Sequence, residues 1–508
     1  MTGTEDTGVN RLVVVSNRLP VVLAQAPDGR VTAQPGSGGL ISAIAPALRN
    51  RGGIWIGWPG TGSVESIRPA LDDASRGTGY ALEPVELSAE LIAGYYYGFS
   101  NEIIWPLFHD LPSRCNFVPR YWRDYQAANR VFAEAIERVT VGDDFVWVHD
   151  YHLMDVAEQL HNIGARRRTG FFLHIPFPPV DLFLKLPWRF EVLRGLMEFD
   201  VLGFQTARDT RNFVHCVRTL LPNATVSGRR SSYVLQLPGN RTVVGSFPIG
   251  IDARDFEEGA RSDDVLRAMQ LSLDRLPNMK MILGIDRLDY TKGVPERLVA
   301  FQETLRAYPE LQGCTTLIQV VVPSREDVPE YQILRSEVER LVGEVNGEFT
   351  QPGWVPIHYI YRPLDRTELL AYYRMSDVCV VTPLKDGMNL VSKEYCACNV
   401  EGDGVLILSE FAGSAAQLHR GAIMVNPHDI EGTARAIHQA VTMPIDERRS
   451  RMRRLKSVVR RDDIFWWTDM YLRAAISKRL DDFLTSEYFV PRSNLEDREL
   501  DEPGESRG

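Results

Sequence analysis

The sequence predicts an α/β protein built on parallel strands buried on both faces. Three observations carry that expectation: short β-rich apolar runs recur along the chain, longer stretches of helical patterning separate them, and the residues that follow the runs are rich in charge and glycine. In order the runs are RLVVVSN from residue 11, DFVWVHD from 144, GFFLHIPF from 170, VLGFQT from 201, MILGIDR from 281, TLIQVVVPS from 316, DVCVVTP from 377 and GVLILSE from 404. RDYQAANRVFAEAIERV before the second run and PERLVAFQETLRAYPE after the fifth repeat apolar residues at helical spacing. The strand-like SFPIGID, followed by a polar helix and a fresh βα series, marks a domain boundary near residue 247. The stretch beginning DDIFWWTDMYLRAAI predicts a last helix over about 462–485, with an acidic start suited to a helix N-terminus. Its adjacent Trp466 and Trp467 predict docking against another surface.

The 508 residues exceed one ordinary core, so two or three domains are expected. A hydrophobic content of 44% and a charged content of 24% are those of a water-soluble globular chain. The net charge of -10, from 67 acids against 57 bases, argues against a duplex nucleic acid partner. The six cysteines form no CxxC pair and several lie in apolar runs, which fits reduced thiols in a cytoplasmic protein. MTGTEDTGVN is unlike a signal peptide and no window approaches a membrane span. The expected organisation is a flexible segment 1–9, domains over 10–247 and 248–461, a helix over 462–488 docking back on the first domain, and an acidic disordered tail over 489–508.

In open parallel sheets ligands bind beyond the carboxyl ends of the strands, so the residues after each run are the candidates. Arg18 follows the first run, and PGSGGLISAIAPAL then sets Gly38 and Gly39 before an apolar helix. Those glycines are either an ordinary flexible cap or a place where phosphate reaches backbone N–H groups. Arg287 and Lys292 in IDRLDYTKG are two cations where strand gives way to loop, able to bracket a diphosphate and neutralise it on departure. Arg325 ends another run, and with Arg18 it suits a phosphorylated substrate held between domains. His149, Asp150 and His152 in WVHDYH lack the spacing of a metal site. Asp150 is read as a polar loop residue or as an acceptor of a sugar hydroxyl. His174 ends its strand ahead of two prolines, and GYYYGFSNEIIWPLFH, with Tyr95, Tyr96, Tyr97 and Trp105, is either core or a surface for stacking on sugar rings.

PLKDGMNLVSKEY (383–395) makes the reading specific, because Asp386 and Glu394 enclose seven residues containing the turn Gly387, Met388 and Asn389. That resembles the acidic-x7-Glu element of retaining GT-B glycosyltransferases. With SNRLP, SGGL, YYYGFSNEIIWPLFH, WVHDYHL, GFFLHIPFP, LGFQT, PIGID, IDRLDYTKG and VVPSREDV in that order, residues 11 to 475 resemble the trehalose-6-phosphate synthase family. The resemblance implies a GT-B fold, two Rossmann-like domains facing each other across a cleft. It implies retaining transfer of glucose from a nucleotide sugar, typically UDP-glucose, to glucose 6-phosphate, giving α,α-trehalose 6-phosphate. It carries an acceptor role onto Arg18, Tyr96, Trp105, Asp150 and Arg325, with Trp55 and Trp58 as neighbours. A donor role falls on Gly38, Gly39, Arg287, Lys292, Asp386, Gly387, Met388, Asn389, Leu390, Val391 and Glu394. His174, Arg287, Lys292 and Asp386 are the implied catalytic set. No metal or other cofactor, no membrane partner and a homo-oligomeric state are expected.

Overall fold

In a computed structural model the eight apolar runs are all strands, divided between two sheets. The structure describes residues 11–25, 31–36, 52–60, 64–229, 231–274, 278–325, 328–478 and 489–491, with 41, 44–45, 47–49 and 276. The strands are β1 Leu12–Arg18, β2 Val21–Gln25, β3 Val31–Pro35, β4 Ile54–Trp58, β5 Ala81–Pro84, β6 Phe145–His149, β7 Arg168–Phe172, β8 Val201–Phe204, β9 Thr225–Arg229, β10 Ser232–Leu237 and β11 Asn240–Ser246. They continue with β12 Lys280–Arg287, β13 Thr315–Val322, β14 Ile357–Tyr361, β15 Val378–Val381, β16 Val405–Ser409 and β17 Ile423–Val425.

The first sheet runs β5-β4-β1-β6-β7-β8-β11-β10-β9, and its first seven strands are parallel. The second runs β14-β13-β12-β15-β16-β17 and is parallel throughout. Each sheet therefore begins in its middle, grows to one edge, then returns to grow toward the other. The strand order reverses between β1 and β6 in one and between β12 and β15 in the other. The chain ends on either side of such a reversal diverge and leave a crevice, which is where open α/β sheets bind ligands.

Alternation along each strand fills two cores per sheet. Val13 and Val15 of β1 enter one apolar cluster while Leu12 and Val14 enter the other. Met281, Leu283 and Ile285 of β12 face one side, Ile282 the other. Among the strands that the apolar runs do not announce, β9, β10 and the edge strand β14 are half-exposed, so fewer of their residues need be apolar. The runs also miss β4 and most of β11, which are buried.

The last described helix, Ile464–Ser477, lies on the first sheet. Trp467 is fully buried with its ring 5.2 Å from Trp147, and its indole N–H donates to the Phe247 carbonyl at 3.1 Å. Tyr471 stacks on Trp147 at 4.4 Å and donates to the Phe171 carbonyl at 3.1 Å. Gly170 and Gly203 make room for it, since a Cβ at either would lie 2.5 or 2.7 Å from the tyrosine side chain. All six cysteines are free thiols. Among the described residues no helix is long and apolar enough to cross a membrane.

One carboxyl group away from the cleft couples folding to pH. Asp155 is 2% exposed, accepts from the Gln159 amide at 2.7 Å, and is pushed up to about 7 by burial, with the nearby Glu158 carboxyl acting in the same direction. The folded chain thus keeps a proton that the unfolded chain, with an ordinary carboxylate near 4, releases. Stability contributed by this group is present at low pH and is lost as pH rises toward about 7. Asp155→Asn is expected to flatten that slope, sparing on the order of 2 kcal/mol of the loss between pH 5 and 8 in urea unfolding.

Candidate active site

The two strand-order reversals face each other, and the side chains at their carboxyl ends form one cleft. On the first sheet β1 bulges between Val15 and Arg18, with the Ser16 hydroxyl donating to the Arg18 carbonyl at 2.7 Å. The irregularity re-aims the last side chain of the strand. The Arg18 guanidinium lies 3.8 Å from the Trp58 ring centroid and 6.0 Å from that of Tyr96. Trp55, one residue out of phase with Ile54, Ile56 and Trp58, packs on the opposite face and donates to Ser16 at 2.8 Å.

The aromatic segment is helical. Ala93–Ile104 winds as a π-helix, so that the Trp105 N–H reaches back to the Ser100 carbonyl. Such wide turns alter which side chains face inward and are frequent at functional sites. They separate the three tyrosines. Tyr95 is fully buried and donates to Asn17 at 2.9 Å, Tyr97 is 40% exposed, and Tyr96 stacks on His152 at 5.7 Å between those extremes. His152, set between Arg18 and Arg325, is held neutral, lowered to about 3 by burial and by the two guanidinium groups. It is a cleft residue that the sequence reading left as loop.

Arg325 comes from the second half of the chain and reaches across. Its guanidinium lies 4.6 Å from the Trp105 ring centroid and donates to the Tyr331 hydroxyl at 2.5 Å and the Tyr151 hydroxyl at 3.3 Å. Asp150 accepts from the His174 N–H at 3.2 Å and is pushed up to about 6 by burial, with those N–H bonds and Arg287 and Arg325 opposing. The Nε2 of His174 is 3.2 Å from Nδ1 of His149, and burial lowers His174 to about 3, so the pair is uncharged. Three non-glycine residues at the cleft, Asp150, Arg325 and Asn389, have positive φ, a strained backbone of the kind that clusters at functional sites.

Across the cleft Lys292 donates to Asp386 at 2.7 Å, and the Asn389 amide donates to the same oxygen at 3.2 Å. Burial pushes the Asp386 carboxyl up, but Lys292 and Asn389 carry it below the usual range. Asp289 is 2% exposed and accepts from the Thr291 N–H and hydroxyl at 3.0 and 2.8 Å. Burial would raise it, and Lys292, Arg325 and Arg287 together lower it, so it lies at the centre of the cations. Its spacing to Thr291 is the one sequence signal, an Asp-x-Thr turn. Glu394 accepts from the Tyr373 hydroxyl at 2.7 Å and is raised by burial.

The turn before the helix Val391–Cys398 is pressed from two sides. A Cβ at Gly387 would lie 2.1 Å from the His174 carbonyl oxygen, and one at Gly413 1.8 Å from the Gly387 carbonyl oxygen. Ser414 N–H donates to the Met388 carbonyl at 2.8 Å, so the segment after β16 holds the turn in place, a support the sequence reading did not identify. Met388 is buried with Phe172 of the first half and Trp467 of the last helix, and Leu390 packs partly against the same cluster, ahead of half-buried Val391. Gly38 and Gly39 lie outside the described residues. Among the described residues no group of three or more His, Cys, Asp or Glu is arranged to hold a metal.

The model of glycosyltransferase family 20 matches residues 10–476, spanning both sheets. The trehalose-6-phosphate synthase of Mycobacterium marinum is 43% identical over 484 residues, 94% of this chain and 96% of its own length. That of Mycobacterium tuberculosis H37Rv is 42% identical over 478 residues, 93% and 95% of the two chains. Among solved structures, the Escherichia coli trehalose-6-phosphate protein bound with UDP-2-fluoro glucose superposes with a TM-score of 0.82 at 36% identity, covering 92% of this chain and 99% of that one. The UDP-forming α,α-trehalose-phosphate synthase of Burkholderia xenovorans in complex with glucose-6-phosphate gives 0.82 at 33% identity, with the same coverage. The two sheets are the two halves of a GT-B fold, and with this likeness end to end the chain belongs to glycosyltransferase family 20 and is an enzyme of glycosyl transfer.

Proposed function

We propose that this enzyme transfers glucose from UDP-glucose to glucose 6-phosphate with retention, giving α,α-trehalose 6-phosphate, in a cleft between domains 10–247 and 248–461. The observation that carries the reading is the division of charge across the cleft. Arg18 and Arg325 converge beside Tyr96, Trp58 and Trp105, a pocket for a sugar phosphate, while Arg287 and Lys292 sit at the end of β12 for a diphosphate. The relatives crystallised with a UDP-sugar analogue and with glucose-6-phosphate support the same pair of substrates.

Retention by a covalent route needs a free carboxylate about 5 Å from its partner acid. Each of these carboxylates at the cleft has one oxygen oriented by the protein, Asp150 by the His174 N–H, Asp289 by the Thr291 groups and Asp386 by Lys292 and Asn389, which leaves the other oxygen for a hydroxyl. With the carboxylates given to hydroxyls, the reading is a front-face displacement through a short-lived oxocarbenium-like ion pair. The bond from the anomeric carbon to the diphosphate oxygen breaks and the acceptor hydroxyl oxygen bonds to the same face. Its proton passes to the departing diphosphate, whose charge Arg287 and Lys292 stabilise. His174 presents its carbonyl at the Gly387 turn, where it orients the donor sugar or faces developing positive charge. Asp386 and Asp150 accept hydroxyls of donor and acceptor sugars, and Glu394 accepts ribose hydroxyls.

The test is UDP release from UDP-, ADP- and GDP-glucose with glucose 6-phosphate as acceptor, with NMR of the product. Turnover with UDP-glucose and an α,α linkage is the expected result. No release with any pair would leave a sugar-phosphate sensor as the better reading. Arg325→Ala is expected to raise the KM for glucose 6-phosphate about 100-fold, through loss of a charge-assisted phosphate contact, while UDP affinity stays within about twofold. Initial rates and calorimetry with UDP read the two quantities separately.

A further inference from the structure

The chain passes between the two halves twice, and the two passages lie side by side. The first leaves β11 at Ser246 and enters the helix Ala253–Ala260; the second joins the helix Ile445–Arg461 to Ile464–Ser477. Ile464 N–H donates to the Ile251 carbonyl at 3.0 Å, and a Cβ at Gly250 would lie 2.3 Å from the Asp462 carbonyl oxygen. Any rotation of one half against the other must be absorbed where these segments touch.

Lys393 reaches the first directly and the second through Gln417. It is 2% exposed, and its ammonium donates to the Ile249 carbonyl at 2.6 Å and to the Gln417 amide oxygen at 2.7 Å. The Gln417 NH2 group in turn donates to Asp462 at 2.8 Å. The Ile249 peptide is thereby held from opposite sides, because its N–H donates to Gln205 at the end of β8 in the first half, at 3.0 Å. A buried cation satisfied mainly by neutral oxygens is costly to keep, and burial lowers this ammonium to about 7. Lys393 also stands on the helix Val391–Cys398, next to Glu394 and one turn from Asn389.

We propose that Lys393 is a positioning residue that ties the donor-site helix to both hinge segments and so sets the placement of the halves that completes the acceptor pocket. The proposal rests on the substrates assigned above. The acceptor pocket is sensitive to hinge geometry, since Arg325 comes from one half and Arg18, Tyr96, Trp105 and Asp150 from the other, and so is the donor-sugar end where Gly387 meets His174. The diphosphate cations Arg287 and Lys292 lie on a single half with Glu394, so affinity for UDP, which lacks the sugar, is insulated from it.

Lys393→Met keeps the side-chain length and removes the charge. The expected result is a KM for glucose 6-phosphate raised about tenfold and kcat lowered about tenfold, with the Kd for UDP by calorimetry within about twofold of wild type. Gln417→Leu is expected to give the same signature at smaller amplitude and carries the test if Lys393→Met does not fold. Unchanged KM and kcat would overturn the proposal, as would an equal loss of UDP affinity, which marks simple damage to the donor helix. If wild-type enzyme turns over no substrate pair, the functional reading fails and scattering decides the hinge role. A radius of gyration larger in the variant than in wild type supports it, and equal radii overturn it.

Discussion

Lys292→Ala is expected to lower kcat about 1000-fold while leaving the KM for glucose 6-phosphate within about threefold. The ammonium lies on the Tyr290–Lys292 turn after β12, where the order of the second sheet reverses, and is held in place by Asp386 at 2.7 Å. It is a preorganised cation in a nearly closed site, with only 10% of its side chain exposed. Charge builds on the diphosphate as the glycosidic bond breaks, so the interaction is stronger in the transition state than with bound substrate, and its loss appears in kcat. The groups proposed for the acceptor lie elsewhere, on Arg18, Tyr96 and Arg325. UDP-release rates at saturating donor check the prediction, and near-normal turnover would remove Lys292 from the catalytic set. Lys292→Ala also strips Asp386 of its cation, and a Lys292→Ala, Asp386→Asn double variant no worse than the single one would show that the pair acts as a unit.

Gly387→Ala is the second large effect, and its origin is steric. The added methyl would lie 2.1 Å from the His174 carbonyl oxygen, an atom of the opposite half, and 3.0 Å from the Ile175 Cα. Neither is the end of a flexible side chain, so relief requires the halves to separate at the point where the Gly387 turn and His174 meet. Overpacking of this kind costs about 1–3 kcal/mol, and because only the closed arrangement bears it, kcat/KM is expected to fall about 10- to 100-fold with the melting temperature nearly unchanged. Thermal unfolding beside initial rates separates the two effects. A matching drop in melting temperature would show that the glycine serves folding instead of closure.

What was legible in the chain follows from periodicity and position. Strands buried on both faces need continuous apolar residues, so β1, β6, β7, β8, β12, β13, β15 and β16 stand out. The half-exposed β9, β10 and β14 do not, and neither does β4, which is fully buried but short and closely flanked by Gly53 and Pro59. Arg18, Asp150, Arg287, Arg325 and Asp386 could be singled out because a charged residue directly after such a run has few places to go but the carboxyl end of the sheet. His152 and Asp289 escaped because nothing in their neighbours' identity shows that cations or rings from distant segments surround them. Trp55 and Trp58, three residues apart in one strand, face opposite sides of the sheet.

Local chemistry was therefore enough for the α/β class, the strand ends and the charged residue types that gather at the cleft, since each depends on short-range sterics and on burial that a run of side chains records. Three things needed the folded chain. The π-helical turns decided which tyrosine faces Arg18, the meeting of Gly387 with His174 decided how closely the halves approach, and Lys393 acquired its partners from Ile249 and Gln417. The approaches of Tyr96 to Arg18, of Gly387 to His174 and of Lys393 to Ile249 are contacts between segments far apart in sequence, and their energy lies in distances that no single segment encodes.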